Sequence, residues 1–208
     1  MTFSVTTMDP CWDEKGGGKI KRGADKHYGV MKPPDILAAI LRSDAWRPAE
    51  DHVLVCWTTM SSLEKSMWLI GALGHRYVTH GVWVKTKVDL VGTNLDIGIG
   101  QYLRGAHELF IIATKGSGFN VKTADRSIPS VLFARSPRRG GKRVHSRKPI
   151  EFTEMIERRF RGPYLEMFAR QGDRPGWAYW GDEYSPSDAE NEEGAATNDE
   201  PQEEPGPL

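Results

Sequence analysis

The sequence predicts an α/β domain built on a mainly parallel central sheet. Apolar runs of strand length, such as 52–58 and 109–114, alternate with segments whose apolar residues recur at helical spacing. The connections between successive strands are long enough for the crossovers that parallel strands require. The 208 residues suffice for one domain with a proper core.

The first elements read as strand, helix and strand. Phe3–Val5 has β character, and the segment after it breaks at Pro10, which has no amide hydrogen to donate. Residues 35–42 form a predicted helix with its apolar side chains on one face, and Pro34 suits a first-turn position. His52–Thr58 has the continuous apolar composition of a buried strand.

A helix is predicted after the second strand. Ser61–Glu64 has the pattern of a capping box. Leu63, Met67 and Ile70 follow at helical spacing and are predicted to share one face. Gly74 is expected to end the helix.

The remaining elements follow from the same patterns of apolar residues, prolines and glycines. In order, they are a strand or kinked pair at 76–79 and 82–85, a loop at 87–98, one or two helical turns at 100–105, strands at 109–114 and 131–134, a helix that opens at Pro149, a strand at 164–169, and a closing segment at 175–183. We expect a structural role for His107, at a strand start.

Charge divides the chain into two parts. Residues 185–208 hold eight acids and no Lys or Arg, whereas the rest holds 28 basic and 20 acidic residues. We predict a folded domain at 1–184 and an acidic disordered tail at 185–208. The tail serves solubility or competes with nucleic acid for the basic body.

Several classes of protein are excluded by the sequence. Its two cysteines form no disulfide framework, and no Cys or His spacing suits a zinc site, so no metal is expected. No apolar run has membrane-spanning length and no signal peptide is apparent, which predicts an intracellular, cytoplasmic protein. The glycine-rich stretch Asp13–Lys26 is not a phosphate loop, and forms either a lid or a plain basic loop.

The segment Asp9-Pro10-Cys11-Trp12 has the chemistry of a site for an amino group on a flat ring. The Asp9 carboxylate and the Pro10 carbonyl can each accept a hydrogen bond from an amine. Trp12 can stack on the ring. The alternative is a proline-broken turn with a capping acid and a core tryptophan.

A second candidate site is the cationic stretch from Arg135 to Lys148, which contains no acid. Its residues suit phosphate contacts, although a solvated loop is the alternative. The candidate nucleic-acid-binding residues are Arg135, Arg138, Arg139, Lys142 and Arg143.

These and other motifs, in order, resemble the MT-A70 family of S-adenosylmethionine-dependent adenine N6-methyltransferases. The matching motifs are Asp9–Trp12, His27–Met31, Trp83–Thr86, Gly100–Arg104 with His107-Glu108, Lys115-Gly116, His145–Pro149, Leu165–Arg170, and Gly176-Trp177 with Trp180–Glu183. Together they extend from Asp9 to Glu183.

The resemblance implies a Rossmann-like class I methyltransferase fold, S-adenosyl-L-methionine as cofactor, and roles for specific residues. Asp9, Pro10, Trp12 and Tyr28 would be catalytic, with Tyr28 near the methyl-transfer centre. The residues that would bind the cofactor are Ser146 and Lys148 at the methionine carboxylate, Glu166 and Arg170 at the ribose, and Asp182 and Glu183 near the adenine and ribose.

Two departures from the family pattern bear on these expectations. Cys11 stands where a second proline is usual, and Asp182 stands where an asparagine is usual. The small size favours DNA as the substrate, as in bacterial and phage members. The alternatives are RNA, or a catalytically inactive, nucleic-acid-binding partner subunit, and a homodimer or heterodimer is compatible with the resemblance.

Overall fold

The computed structural model describes residues 1–13, 29–87, 95–98, 102–139, 142–144, 147–170, 172–182 and 184. The strands are β1 (Phe3–Met8), β2 (Pro48–Thr58), β3 (Arg76–Thr86), β4 (His107–Lys115), β5 (Val131–Arg135), β6 (Arg138–Arg139), β7 (Lys142–Arg143), β8 (Tyr164–Met167) and β9 (Trp177–Trp180). The helices are α1 (Pro33–Arg42), α2 (Leu63–Ala72) and α3 (Ile150–Arg159).

Seven of the strands form one mixed sheet, in the order β5-β3-β4-β2-β1-β8-β9. The pairs β1–β2, β1–β8, β8–β9 and β3–β5 are parallel, whereas β4 runs antiparallel to both β2 and β3. The prediction of an α/β fold is confirmed, but the sheet is mixed rather than clearly mainly parallel. The long connection between β3 and β4 does not act as a crossover, because these strands pair directly with each other.

The three helices cover both faces of the sheet. Ile36 and Ile40 of α1, together with Leu69 and Ile70 of α2, pack in one core cluster with side chains of β1, β2 and β8. On the other face, α3 packs against the sheet in a second cluster. This burial of apolar surface is the main stabilising contribution to the fold.

Helix α2 buries a different face from the predicted one. Leu63 and Met67 are exposed, whereas Ser66, Leu69 and Ile70 are buried. Ser66 tolerates burial because its hydroxyl is 2.6 Å from the Thr58 hydroxyl and donates to the Ser62 carbonyl. The predicted capping box is also absent, since Ser62 is the N-cap but makes no side-chain capping hydrogen bond.

Other predictions have mixed outcomes. Helix α1 and Gly74, which has a φ of 75° just after α2, agree with the sequence analysis. Strand β9 and the two-stranded ribbon β6–β7 were not expected, and residues 102–105 are not helical. Residues 14–28, 100–101 and 185–208 lie outside the described part of the chain. No helix in the described part has the length and apolar character needed to cross a bilayer.

Candidate active site

The candidate site lies where the strand order reverses. β1 and β8 are adjacent and parallel; the chain continues from β1 to β2 on one side and from β8 to β9 on the other. The crevice outside the carboxyl ends of two such strands is the usual ligand site in open α/β sheets. Asp9 directly follows β1, and Glu166 lies near the end of β8, level with Thr7.

The antiparallel direction of β4 brings further residues to the same edge. Trp57, near the end of β2, pairs with Phe110. Glu108 therefore lies at this edge of the sheet although it stands at the start of β4. It also pairs in register with Trp83 of β3.

Four side chains of alternating charge are linked in a row. Lys148 Nζ lies 2.7 Å from Asp9 Oδ2 and 2.9 Å from Glu108 Oε2. Glu108 also pairs with Lys85 through its other oxygen. Lys148 lies 4.9 Å from the ring centroid of Trp57, within range of a cation–π interaction. The row holds the Asp9 carboxylate in a fixed position beside the cleft.

These contacts shift the pKa values of the ion-paired groups. Burial acts to raise the pKa of Glu108, but Lys148 and Lys85 lower it to about 2. Burial acts to lower the pKa of Lys148, but Asp9 and Glu108 raise it above its ordinary value. For Asp9, burial is the largest effect and, together with Glu108, raises the pKa despite the opposing charge of Lys148. Lys148 therefore favours an ionised Asp9 in an environment that opposes ionisation.

Glu166 is a second acid in the cleft. Burial and the Asp9 carboxylate raise its pKa to about 7, and Lys148 and Arg147 only partly oppose them. Within the described part of the chain its carboxyl group has no hydrogen-bond partner. A partly buried carboxyl without a partner is costly, and this position near the end of β8 suits one that binds ligand hydroxyl groups.

Asp9 and Glu166 line a cleft of about 710 Å³. This volume is within the range of small-molecule sites. One wall comes from the segment between β5 and α3 and includes Arg135, Arg138 and Arg147. Another part of the lining is the segment Gly172–Arg174.

The wall at Gly172–Arg174 is fixed by ionic and aromatic contacts. Glu157 of α3 accepts two hydrogen bonds of 2.5 Å from the Arg174 guanidinium and one of 2.8 Å from the Trp177 indole. The Arg174 amide donates to the Tyr179 hydroxyl. This wall is therefore preorganised.

The amine-binding motif is only partly arranged as predicted. Asp9 lies at the cleft. The Pro10 carbonyl already accepts a 2.9 Å hydrogen bond from the Trp12 amide, although a carbonyl has a second lone pair. Trp12 is only 4% exposed, lies in the core and donates its indole N–H to the Trp57 carbonyl at 3.2 Å. Core packing therefore covers the Trp12 ring in this structure, and its stacking on a base stays a prediction.

The predicted cofactor residues are partly brought together. Lys148 lies two residues before α3, and it lines the cleft with Glu166 and Arg170. Asp182 is exposed, and its charge acts on Cys11 near the end of β1. The predicted residues Tyr28, Ser146 and Glu183 lie outside the described part.

The predicted nucleic-acid contacts are described only in part. Arg135 and Arg138 are exposed and line the cleft. For Arg139, Lys142 and Arg143 the backbone forms part of the ribbon β6–β7, but their side chains lie outside the description.

Sequence reasoning assigned no site role to Trp57, Lys85 or Glu108. The motifs that contain Lys85 and Glu108 were noted as family features, which was the available signal. Their meeting depends on the antiparallel pairing of β3 with β4, and a short sequence motif does not reveal strand pairing.

A family model described as MT-A70 matches residues 3–183. The match covers most of the sequence, so the chain belongs to the MT-A70 family. MT-A70 is a methyltransferase family, and membership implies S-adenosylmethionine-dependent methylation of adenine N6. A comparison with curated proteins gave no match.

Proposed function

We propose that this MT-A70 protein methylates the exocyclic N6 of adenine in DNA, with S-adenosylmethionine as the methyl donor. The observation that carries the proposal is the Asp9 carboxylate, held 2.7 Å from Lys148 where the strand order reverses. An ionised acid at this point can accept a hydrogen bond from an amino group. The ligand crevice at the strand ends also supports a Rossmann-like fold, despite the reversed β4.

The residues around the cleft fit S-adenosylmethionine. The Glu166 carboxyl group, which lacks a hydrogen-bond partner among the described residues, suits the ribose hydroxyls. Lys148 suits the carboxylate end of the molecule, and Arg170 lines the same cleft and suits a position near the ribose. When bound, S-adenosylmethionine supplies a methyl group on a positively charged sulfur.

Asp9 would act on the amine that attacks this methyl group. The N6 lone pair is delocalised into the adenine ring, which makes N6 a poor nucleophile. A hydrogen bond from N6–H to Asp9 favours a pyramidal nitrogen with a localised lone pair. S-adenosylmethionine would supply the methyl group to N6 and keep the electron pair of the broken carbon–sulfur bond, and the proton lost from N6 would pass to solvent.

Lys148 and Glu108 would position Asp9 for this step. Lys148 favours the ionised form of Asp9, which is the form that accepts the hydrogen bond. Glu108, which itself pairs with Lys85, forms a second ion pair with Lys148 and fixes its position. Because these ion pairs exist without substrate, little reorganisation is required during the reaction.

The cationic wall supports a nucleic-acid substrate. Arg135 and Arg138 are exposed at the cleft and can neutralise phosphates. An adenine in a duplex would have to leave the base stack to reach Asp9. We place DNA before RNA because the sequence resembles a family whose bacterial and phage members act on DNA.

A competition assay tests the substrate class. The protein is incubated with labelled S-adenosylmethionine and an equimolar mixture of DNA and RNA oligonucleotides of matched sequence, each present as single strand and as duplex. We expect label on adenine of the DNA. Label on the RNA alone would show that RNA, and not DNA, is the substrate. Label on neither nucleic acid, together with no cofactor binding by calorimetry, would favour an inactive partner subunit.

A further inference from the structure

One wall of the cleft is strongly cationic. The sequence from Arg135 to Lys148 holds seven Lys or Arg residues and no acid. Arg135, Arg138 and Arg147 of this stretch line the cleft and are exposed. A polyanion of any kind is attracted to such a wall.

The chain reaches its most acidic segment beside this same cleft. Tyr184 donates a hydrogen bond of 3.2 Å to the Gly172 carbonyl, and its ring stacks on that of Tyr179, 5.5 Å away. Gly172 and Tyr179 both line the cleft. Residues 185–208 therefore begin at the cleft wall, and 24 residues can extend at most ~80 Å. That reach is more than enough to cross the cleft to Arg135 and Arg138.

The composition of residues 185–208 complements the cationic wall. The segment contains eight carboxylates and no Lys or Arg; they are Asp188, Glu190, Glu192, Glu193, Asp199, Glu200, Glu203 and Glu204. A segment tethered beside its site acts at an effective concentration in the millimolar range. Even a weak contact would therefore be well populated at low salt.

We propose that residues 185–208 dock on the cationic wall of the cleft and compete there with nucleic acid. The inference rests on the proposed function, because it makes this wall the nucleic-acid surface. A nucleic acid must displace the segment before it can bind to the wall. Only a polyanion that contacts the wall at several phosphates therefore binds well. Salt weakens both interactions by screening.

The first test uses the full chain with all eight acids of the segment changed to Asn or Gln. The dissociation constant for a labelled DNA duplex is measured by fluorescence anisotropy at about 50 and 200 mM salt. We expect at least tenfold tighter binding by the neutralised protein at the lower salt, and a smaller difference at the higher salt. Equal affinities at both salt concentrations would overturn the proposal.

A second measurement separates docking from an effect of net charge. A labelled peptide of residues 185–208 is added to the neutralised protein, with a neutral Asn/Gln peptide as the matched control. We expect only the acidic peptide to bind, and R135E/R138E to abolish its binding. If the neutralised protein gains DNA affinity but the acidic peptide does not bind up to millimolar concentration, docking is wrong.

Peptide binding needs neither cofactor nor methyl transfer. A protein that binds the peptide through Arg135 and Arg138 but methylates no substrate would therefore overturn the proposed function and leave the docking intact. A protein that methylates DNA but does not bind the peptide would do the reverse.

Discussion

Asp9 is the residue on which the proposed chemistry depends. Its carboxylate can accept a hydrogen bond from an amine, and Lys148 stabilises its charge in surroundings that raise its pKa. An amide of the same shape retains one acceptor oxygen but loses the charge. The residue therefore allows a substitution that separates electrostatics from packing.

We predict that Asp9→Asn lowers kcat/KM for methylation by about 10²–10³-fold, the usual effect of losing one electrostatic contact to a transition state. The dissociation constant for S-adenosylmethionine, measured by calorimetry, should change little. Asp13→Asn is the matched control, because Asp13 pairs with Lys65 and does not line the cleft. Comparable activity of Asp9→Asn and the parent protein would contradict the role of Asp9.

If Glu166 binds the cofactor as proposed, the affinity for S-adenosylmethionine should depend on pH. Its pKa in the free protein is about 7, and hydrogen bonds from ribose hydroxyls would favour its ionised form. The affinity for S-adenosylmethionine should therefore be constant above pH 7 and fall as the pH decreases below 7, by up to about tenfold per unit. Glu166→Gln should bind more weakly and without this dependence. A flat profile in the parent protein would exclude ionised Glu166 from cofactor binding.

At the scale of elements, a buried chain of hydrogen bonds joins β1, β2 and the end of α2. The Thr6 hydroxyl lies 3.0 Å from His52 Nε2, His52 Nδ1 lies 2.7 Å from His75 Nε2, and His75 Nδ1 lies 2.9 Å from the Leu73 carbonyl. Both histidines are buried. The Leu73 carbonyl can only accept, so His75 Nδ1 carries a proton and donates to it. His75 Nε2 then accepts from His52 Nδ1, and His52 Nε2 accepts from the Thr6 hydroxyl, which gives every ring nitrogen a partner while both rings are neutral.

This histidine pair should make the fold sensitive to acid. Burial, with smaller effects from nearby positive charges, lowers the pKa of His52 to about 3; burial likewise lowers that of His75 to about 4. Because the pKa of each histidine is lower in the folded protein than in the unfolded chain, the neutral pair stabilises the fold above about pH 6.5. This stability is lost as the pH falls towards the folded-state pKa values.

The free energy of unfolding should fall by about 2 kcal/mol for each histidine between pH 7 and pH 5. Urea midpoints at the two pH values measure the change, provided that the m-value stays constant. His80→Gln, at an exposed site, should keep the full difference, whereas His52→Gln/His75→Gln should lose most of it. An equal pH difference in both variants would show that other groups cause it.

Helix α2 shows where sequence patterns fail at this scale. Its apolar residues surround the whole helix, so periodicity alone did not identify the buried face. The choice depends on Ser66, whose hydroxyl finds partners on β2 and on the preceding turn. By contrast, α1 has a single apolar face, and its buried residues Ile36 and Ile40 were predictable.

This assignment of the α2 face predicts stability losses of different size for two neighbouring residues. Leu69 is fully buried, whereas Trp68 is 47% exposed. Leu69→Ala should lower the free energy of unfolding by about 2–5 kcal/mol, because it leaves a cavity in the core. Trp68→Gln should lower it by less than about 1 kcal/mol. Denaturant unfolding of both variants measures the difference, and a larger loss for Trp68→Gln would contradict the observed face.

At the scale of the whole molecule, the site is assembled from distant parts of the chain. Asp9, Glu108, Lys148 and Glu166 meet at one edge because β4 is antiparallel and β8 lies beside β1. The sequence indicated the α/β class, the acid after β1 and the family. It did not indicate the direction of β4, the strand β9 or the links between Lys148, Glu108 and Lys85, which depend on long-range pairing.

The measurement that tests the central claim most directly is the identity of the methylated product. The protein is incubated with labelled S-adenosylmethionine and adenine-containing DNA, the DNA is digested, and the nucleosides are separated and identified by mass. We predict that the label appears as N6-methyldeoxyadenosine. Label on another base or on another atom of adenine would contradict the account, as would an absence of label from a protein that binds both cofactor and DNA.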